Sequence, residues 1–137
     1  MDAPTPLDAL AAALRAVDSA ADACLALAWA TSVPPDERRA AARRAVNTYE
    51  ATDRRANTML AVIIADGGTR GLDDVLGAAH RRAVERLTAC YALRAGCDGP
   101  APARAITIAE HAADAALGRL ARAQVVALAW LARKTAA

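Results

Sequence analysis

The chain has 137 residues, which is enough for one domain to bury a core without disulfides or a bound metal. Hydrophobic residues make up 55% of it but aromatic residues only 3%, and Phe is absent, so alanine dominates and the predicted core is narrow. A formal net charge of +2 is too balanced to indicate a polyanion partner, which argues against bulk DNA binding.

The first residues of the chain and the cysteines give an expectation for where in the cell the protein lies. Asp2 stands where a secretory signal needs positive charge, and no apolar run approaches the roughly 18 residues of a membrane span. The three cysteines follow no paired spacing, so reduced thiols are expected. We therefore expect a cytoplasmic protein that does not contact a membrane.

The first half of the chain reads as two long helices. Thr5 and Pro6 predict the start of the first, as N-cap and first helical residue, and apolar side chains then recur at alternating spacings of three and four. Val33, Pro34 and Pro35 separate it from the second helix, whose apolar face includes Val46 and Tyr49. The predicted ranges are 5–31 and 35–65.

The second half predicts two more helices, at 72–95 and 102–134. A glycine-rich stretch at 66–71 precedes the third, and a glycine and proline stretch at 96–102 precedes the fourth. The face predicted to be buried in the fourth helix continues through Leu117, Gln124, Leu128 and Leu131. Short connections favour antiparallel neighbours, so the prediction is all-α: one domain over 1–137, an antiparallel up-down-up-down four-helix bundle.

Polar residues in the middle of this predicted bundle form one candidate site. Asp53 lies on the apolar face of the second helix, with Tyr49 one turn away, and His80 falls at a comparable height on the third helix. A carboxylate beside an imidazole is a standard acid–base pair. Tyr49, Asp53 and His80 are therefore candidate catalytic residues of a small enzyme or ligand-binding bundle. Surface pairing of Asp53 and a solvent-facing His80 is the structural alternative.

A second candidate pair begins the fourth helix. Arg104 and His111 are separated by six residues, an arrangement that resembles the R-x4-6-H signature of HEPN domains. The resemblance implies a helical bundle that cleaves RNA, with Arg104 contacting a phosphate and His111 assisting proton transfer at the 2′-hydroxyl. Ribonuclease activity is thus a further alternative.

Metal and cofactor sites have little support in the sequence. Cys24, Cys90 and His111 fall at similar depth, with Cys97 in a nearby loop, and sulfur and imidazole ligands suit zinc. Helical cysteines, however, are commonly small buried hydrophobes. We therefore predict no metal and no cofactor.

Clustered arginines and an excess of apolar residues suggest surfaces that bind other molecules. Six arginines lie between Arg38 and Arg55, and the third helix adds Arg81, Arg82 and Arg86, so adjacent second and third helices would form a basic flank. RNA is poorly supported there because no aromatic residues interleave the arginines. The apolar stretch 125–131 exceeds what one buried face requires. We accordingly predict a non-catalytic interaction or regulatory protein that forms a homo-oligomer, most simply a dimer, and binds a protein partner.

Overall fold

Four helices account for the chain in the computed structural model, which describes residues 3–30, 33–68, 70–96 and 99–136. They are α1 (Pro6–Trp29), α2 (Pro35–Ala65), α3 (Leu72–Arg94) and α4 (Pro100–Ala136). No strand occurs within those ranges. The prediction of an all-α bundle of four helices is confirmed, and each observed helix end lies within two residues of its predicted position.

Local chemistry sets the helix ends. The Thr5 hydroxyl accepts a hydrogen bond from the Asp8 amide at 3.1 Å, and the Asp8 carboxylate accepts one from the Thr5 amide at 3.3 Å, a complete capping box. Gly71, before α3, has φ of +79°, and a Cβ there would lie 3.0 Å from a Leu7 methyl. The left-handed backbone favours glycine at this position, and a Cβ would in addition force the Leu7 side chain to shift.

The helices pack mainly as two pairs, α1 on α2 and α3 on α4. The pairs meet chiefly through α1 and α4, and across the described ranges α2 and α3 do not contact each other. The up-down-up-down path stays a prediction. It is supported by ion pairs from Asp18 to Arg82 and from Asp22 to Arg86, each 2.7 Å long, which advance in the same direction along α1 and α3.

The predicted basic flank on adjacent second and third helices is wrong. Because α1 and α4 supply the contacts between the two pairs, the arginines of α2 and α3 do not form one surface. Arg86 also reaches Asp18, at 3.5 Å, so Arg82 and Arg86 are engaged with acids of α1. Arg82 and Arg86 of α3 therefore form ion pairs within the bundle.

Large aliphatic side chains fill the core along three of the helices, whereas α4 contributes mostly alanine. The largest fully buried side chains are Leu10, Leu14, Leu60, Leu72 and Leu76. The predicted buried face of α4 is wrong in its second half, because Leu117, Gln124, Leu128 and Leu131 are all exposed. The buried positions there are Ala112, Ala116, Arg119 and Ala123. Small side chains at a contact let helix axes approach closely, which favours the alanine face.

Candidate functional site

An apolar cleft opens beside the first half of α2, which packs only partly against the bundle. None of residues 35–48 of α2 is buried, although the structure describes all of them, and the buried face of this helix begins at Tyr49. Two adjoining cavities of about 160 and 260 Å³ result, and both are lined by Cys24, Val46 and Ile108. We call them together the α1–α2–α4 cleft. Its apolar lining consists of Cys24, Leu27, Ala28, Ala42, Val46 and Ile108.

The outer end of the cleft is positively charged. Arg38, Arg39 and Arg104 line it, and no acidic side chain from the described part of the chain does. Arg38 donates a hydrogen bond to the Val33 carbonyl at 3.0 Å, and Arg39 forms an exposed ion pair of 2.8 Å with Asp36. Arg104 is exposed and makes no ion pair or hydrogen bond with any described residue. Its guanidinium is therefore available to an anion.

The inner end of the cleft is polar and partly buried. Tyr49, Glu50, Thr107 and His111 line it, and the Tyr49 and His111 rings meet edge to face with centroids 5.8 Å apart. Tyr49 is only 8% exposed, and its hydroxyl has no hydrogen-bond partner among the described residues. Burial raises the pKa of Tyr49, and the negative charge of Asp53 adds to this effect. The phenol therefore stays protonated at neutral pH.

A buried ion pair lies next to Tyr49. Arg119 of α4 is 5% exposed, and its Nη1 lies 2.6 Å from Asp53 Oδ1 and 3.3 Å from Asn57 Oδ1. Sequence reasoning found Asp53 but missed Arg119. The available signal was its position between Ala116 and Ala123, at the spacing of the alanine face.

The candidate residues Tyr49, Asp53 and His80 do not meet at one point. Tyr49 and Asp53 share one side of α2, but His80 lies on α3, which α2 does not contact in the described ranges. His80 is half-buried and forms no hydrogen bond or ion pair with a described residue. Asp53 is paired with Arg119 instead, so the predicted carboxylate–imidazole pair is not formed.

Arg104 and His111, in contrast, both border the cleft. Seven positions separate them along α4, which is two turns or roughly 10 Å, so they project from the same side. Ile108 lies between them and makes this stretch apolar. Comparison with protein-family models, curated proteins and solved structures finds no match to this chain. The HEPN resemblance therefore rests on Arg104 and His111 themselves.

The cysteines are placed apart from one another. Cys24 lines the cleft, whereas Cys90 packs with Leu25 and Ala105 in a separate apolar cluster, and burial raises the pKa of both thiols. No group of three or more potential metal ligands occurs in the described part of the chain. Cys97 lies outside the described residues. Cys24 and Cys90 thus act as small apolar side chains in this fold.

The outward side of α4 carries a second feature. Exposed apolar residues recur every three or four positions on the side of α4 next to that of the buried alanines, and we call them the outer stripe: Leu117, Ala121, Val125, Leu128 and Leu131. Val125 and Leu128 are 65% and 66% exposed. The last buried residue of α4 is Ala123, so residues 124–136 extend about 20 Å past the buried part.

The extension of α4 is apolar on its other side as well. Trp130 is 54% exposed, with the Lys134 ammonium 4.9 Å from the ring centroid. Among the described residues, α4 alone has the length and composition that would allow a helix to cross a membrane, and 17% of the relevant segment is buried. The expectation that the protein does not contact a membrane stays a prediction.

Proposed function

We propose that this chain is a non-catalytic helical interaction protein that self-associates as an antiparallel homodimer through the outer stripe of α4. The observation that carries the proposal is that the stripe is exposed beside the buried alanines and extends past them. Burying these exposed side chains between two copies would stabilise the dimer by roughly 25 cal/mol per Å² of apolar area removed from water. A repeat of three and four residues is the pattern with which two helices interlock.

The charges along α4 favour a second copy in the antiparallel direction. Asp114 precedes the outer stripe, and Arg133 and Lys134 follow it. When two copies cross with their midpoints near Val125, the basic end of one helix lies within about one turn of Asp114 in the other. Unlike charges then lie at similar heights along the two helices at both ends of the contact, which favours the antiparallel over the parallel direction.

A membrane suits the stripe less well than a second copy does. The extension of about 20 Å is shorter than the roughly 30 Å hydrocarbon core of a bilayer. Inserting more of α4 would pull the Arg119–Asp53 ion pair out of the bundle, and stranding a buried charge is costly. The predicted protein partner stays a prediction.

Sedimentation velocity over a range of concentrations tests the proposal. Wild-type protein is expected to be a dimer, and Leu128→Glu a folded monomer by circular dichroism. Val62→Glu is the matched control, because Val62 is 55% exposed on α2 and lies outside the stripe. A monomeric wild type, or equal dissociation of both variants, would contradict the proposal. Flotation of wild-type protein with phosphatidylcholine vesicles, in place of dimerisation, would assign the stripe to a membrane.

The second candidate is the RNA-cleaving activity that the Arg104 and His111 resemblance implies. What favours it is that both side chains border one cleft. The apolar wall between them at Ile108 suits a nucleotide poorly. Cleavage of single-stranded RNA by the wild type, lost in His111→Ala and kept in His80→Ala, is the result that would establish it.

A further inference from the structure

We infer that the α1–α2–α4 cleft is a binding site for a small amphipathic carboxylate, such as a medium-chain fatty acid. The carboxylate would lie at the arginine-lined outer end, and the apolar body would lie against α1, α2 and α4. This inference goes beyond self-association and does not depend on it, because the cleft and the outer stripe are on different sides of α4.

The lining requires a ligand with an apolar body. Leu27, Ala42, Val46 and Ile108 present only hydrocarbon to the outer cavity, and the Cys24 thiol adds a neutral wall because burial keeps it protonated. Val46 is 44% exposed although it continues the apolar face of α2. An apolar ligand would cover the exposed part of this side chain.

The charge at the mouth selects an anion. Three guanidinium groups and no described acid line the outer cavity, and Arg104 makes no contact with a described partner. A guanidinium can hold a carboxylate by two parallel hydrogen bonds, an interaction that is stronger beside an apolar wall than in open water. A cationic or uncharged ligand would leave Arg104 without a counter-charge in the cleft.

The inner end fixes the direction of the ligand. Glu50 lines that end, so a carboxylate placed there would face another negative charge. The distance from Arg104 to His111 is roughly 10 Å along α4, which sets the length of apolar body that the cleft accepts. The outer cavity, of about 160 Å³, has room for a single slender chain.

Isothermal titration calorimetry with octanoate tests the inference on the whole chain. Saturable binding to the wild type is expected, with at least about tenfold weaker affinity in Arg104→Gln, the size expected when a hydrogen bond to a charged group is lost. Arg43→Gln is the matched control, since it removes the same charge from an exposed position that does not line the cleft. Equal affinity in Arg104→Gln and wild type would overturn the inference.

Further titrations separate the contribution of the ligand's charge from that of its hydrocarbon chain, and locate the ligand in the structure. Octanol, which has the chain without the charge, and acetate, which has the charge without the chain, should each bind at least tenfold more weakly than octanoate. Ala42→Phe should block binding by filling the cleft, whereas Leu128→Glu should bind octanoate like the wild type. Loss of binding in Leu128→Glu would place the ligand on the outer stripe and overturn the inference, as would an absence of saturable binding to the wild type.

Discussion

Arg119 Nη1 lies 2.6 Å from Asp53 Oδ1 and thereby joins α4 to α2, two helices that otherwise contact each other little. The two ends of this ion pair differ in their surroundings. The side chain of Arg119 is 5% exposed and that of Asp53 is 23% exposed. The guanidinium therefore depends on its partner more than the carboxylate does.

Because of that difference, we expect removal of Asp53 and removal of Arg119 to lower the free energy of unfolding by different amounts. Asp53→Ala should lower the free energy of unfolding by about 3 kcal/mol, because it leaves a buried guanidinium without its counter-charge. Arg119→Met should cost only about 1 kcal/mol, because water can reach the remaining carboxylate. Urea denaturation measures both, with Arg39→Ala, which breaks an exposed pair with Asp36, as a control that should change little. Equal costs at both ends would contradict the asymmetry.

Replacing Tyr49 by phenylalanine should leave the protein as stable or make it more stable. The Tyr49 hydroxyl is buried without a hydrogen-bond partner among the described residues, and such a group costs about 1–3 kcal/mol. Tyr49→Phe removes that cost and keeps the ring contact with His111. Thermal unfolding should give an equal or higher Tm, whereas a fall of several degrees would indicate that the hydroxyl is bonded in solution.

Alkaline pH should destabilise the fold through its two tyrosines. A hydrogen bond to Glu110 raises the pKa of Tyr91, and burial raises that of Tyr49, so each holds its proton longer when folded than when unfolded. This contribution is complete below about pH 10, the ordinary tyrosine pKa, and is lost as pH rises through the folded value. Urea titrations at several alkaline pH values should show stability falling, with a smaller slope in Tyr49→Phe and in Tyr91→Phe.

Leucines of the core and of the outer stripe should respond differently to truncation. Leu60 is fully buried on α2, so Leu60→Ala should cost about 2–5 kcal/mol through lost burial and a residual cavity. Leu128→Ala should hardly change the stability of the monomer, because this side chain is 66% exposed. Unfolding followed at a concentration too low for dimerisation separates the two. A large loss in Leu128→Ala under that condition would place Leu128 inside the fold.

Much of the helical framework was predictable because local chemistry decides it. Thr5 and Pro6 identified the start of α1, and the glycines around Gly71 marked the break before α3. The apolar side chains that recur at spacings of three and four along α1 include Leu10, Leu14 and Val17, and all three are buried. Caps, breaks and a repeat of large side chains are all legible without knowing the neighbouring helices.

The site was less predictable because it depends on which helices meet. The spacing of three and four residues predicted that Leu117 and Leu128 of α4 would be buried, but alanines and Arg119 occupy the contact face. Asp53 therefore forms an ion pair with Arg119 of α4. His80 does not meet Asp53, because α3 does not contact α2 in the described ranges. Val46 was expected to be buried and instead borders the cleft, 44% exposed. These outcomes follow from helix arrangement, which a periodic pattern in one helix does not encode.

The separation of α2 from α3 also bears on how the chain reaches its folded form. The most extensive packing joins helices that are consecutive in sequence, so each helical hairpin can assemble with little loop-closure entropy before the two halves dock. The connection 66–71 joins α2 to α3, which do not contact each other in the described ranges. Packing between these two helices therefore does not constrain the length of the connection. Insertions there should slow folding far less than insertions between α1 and α2.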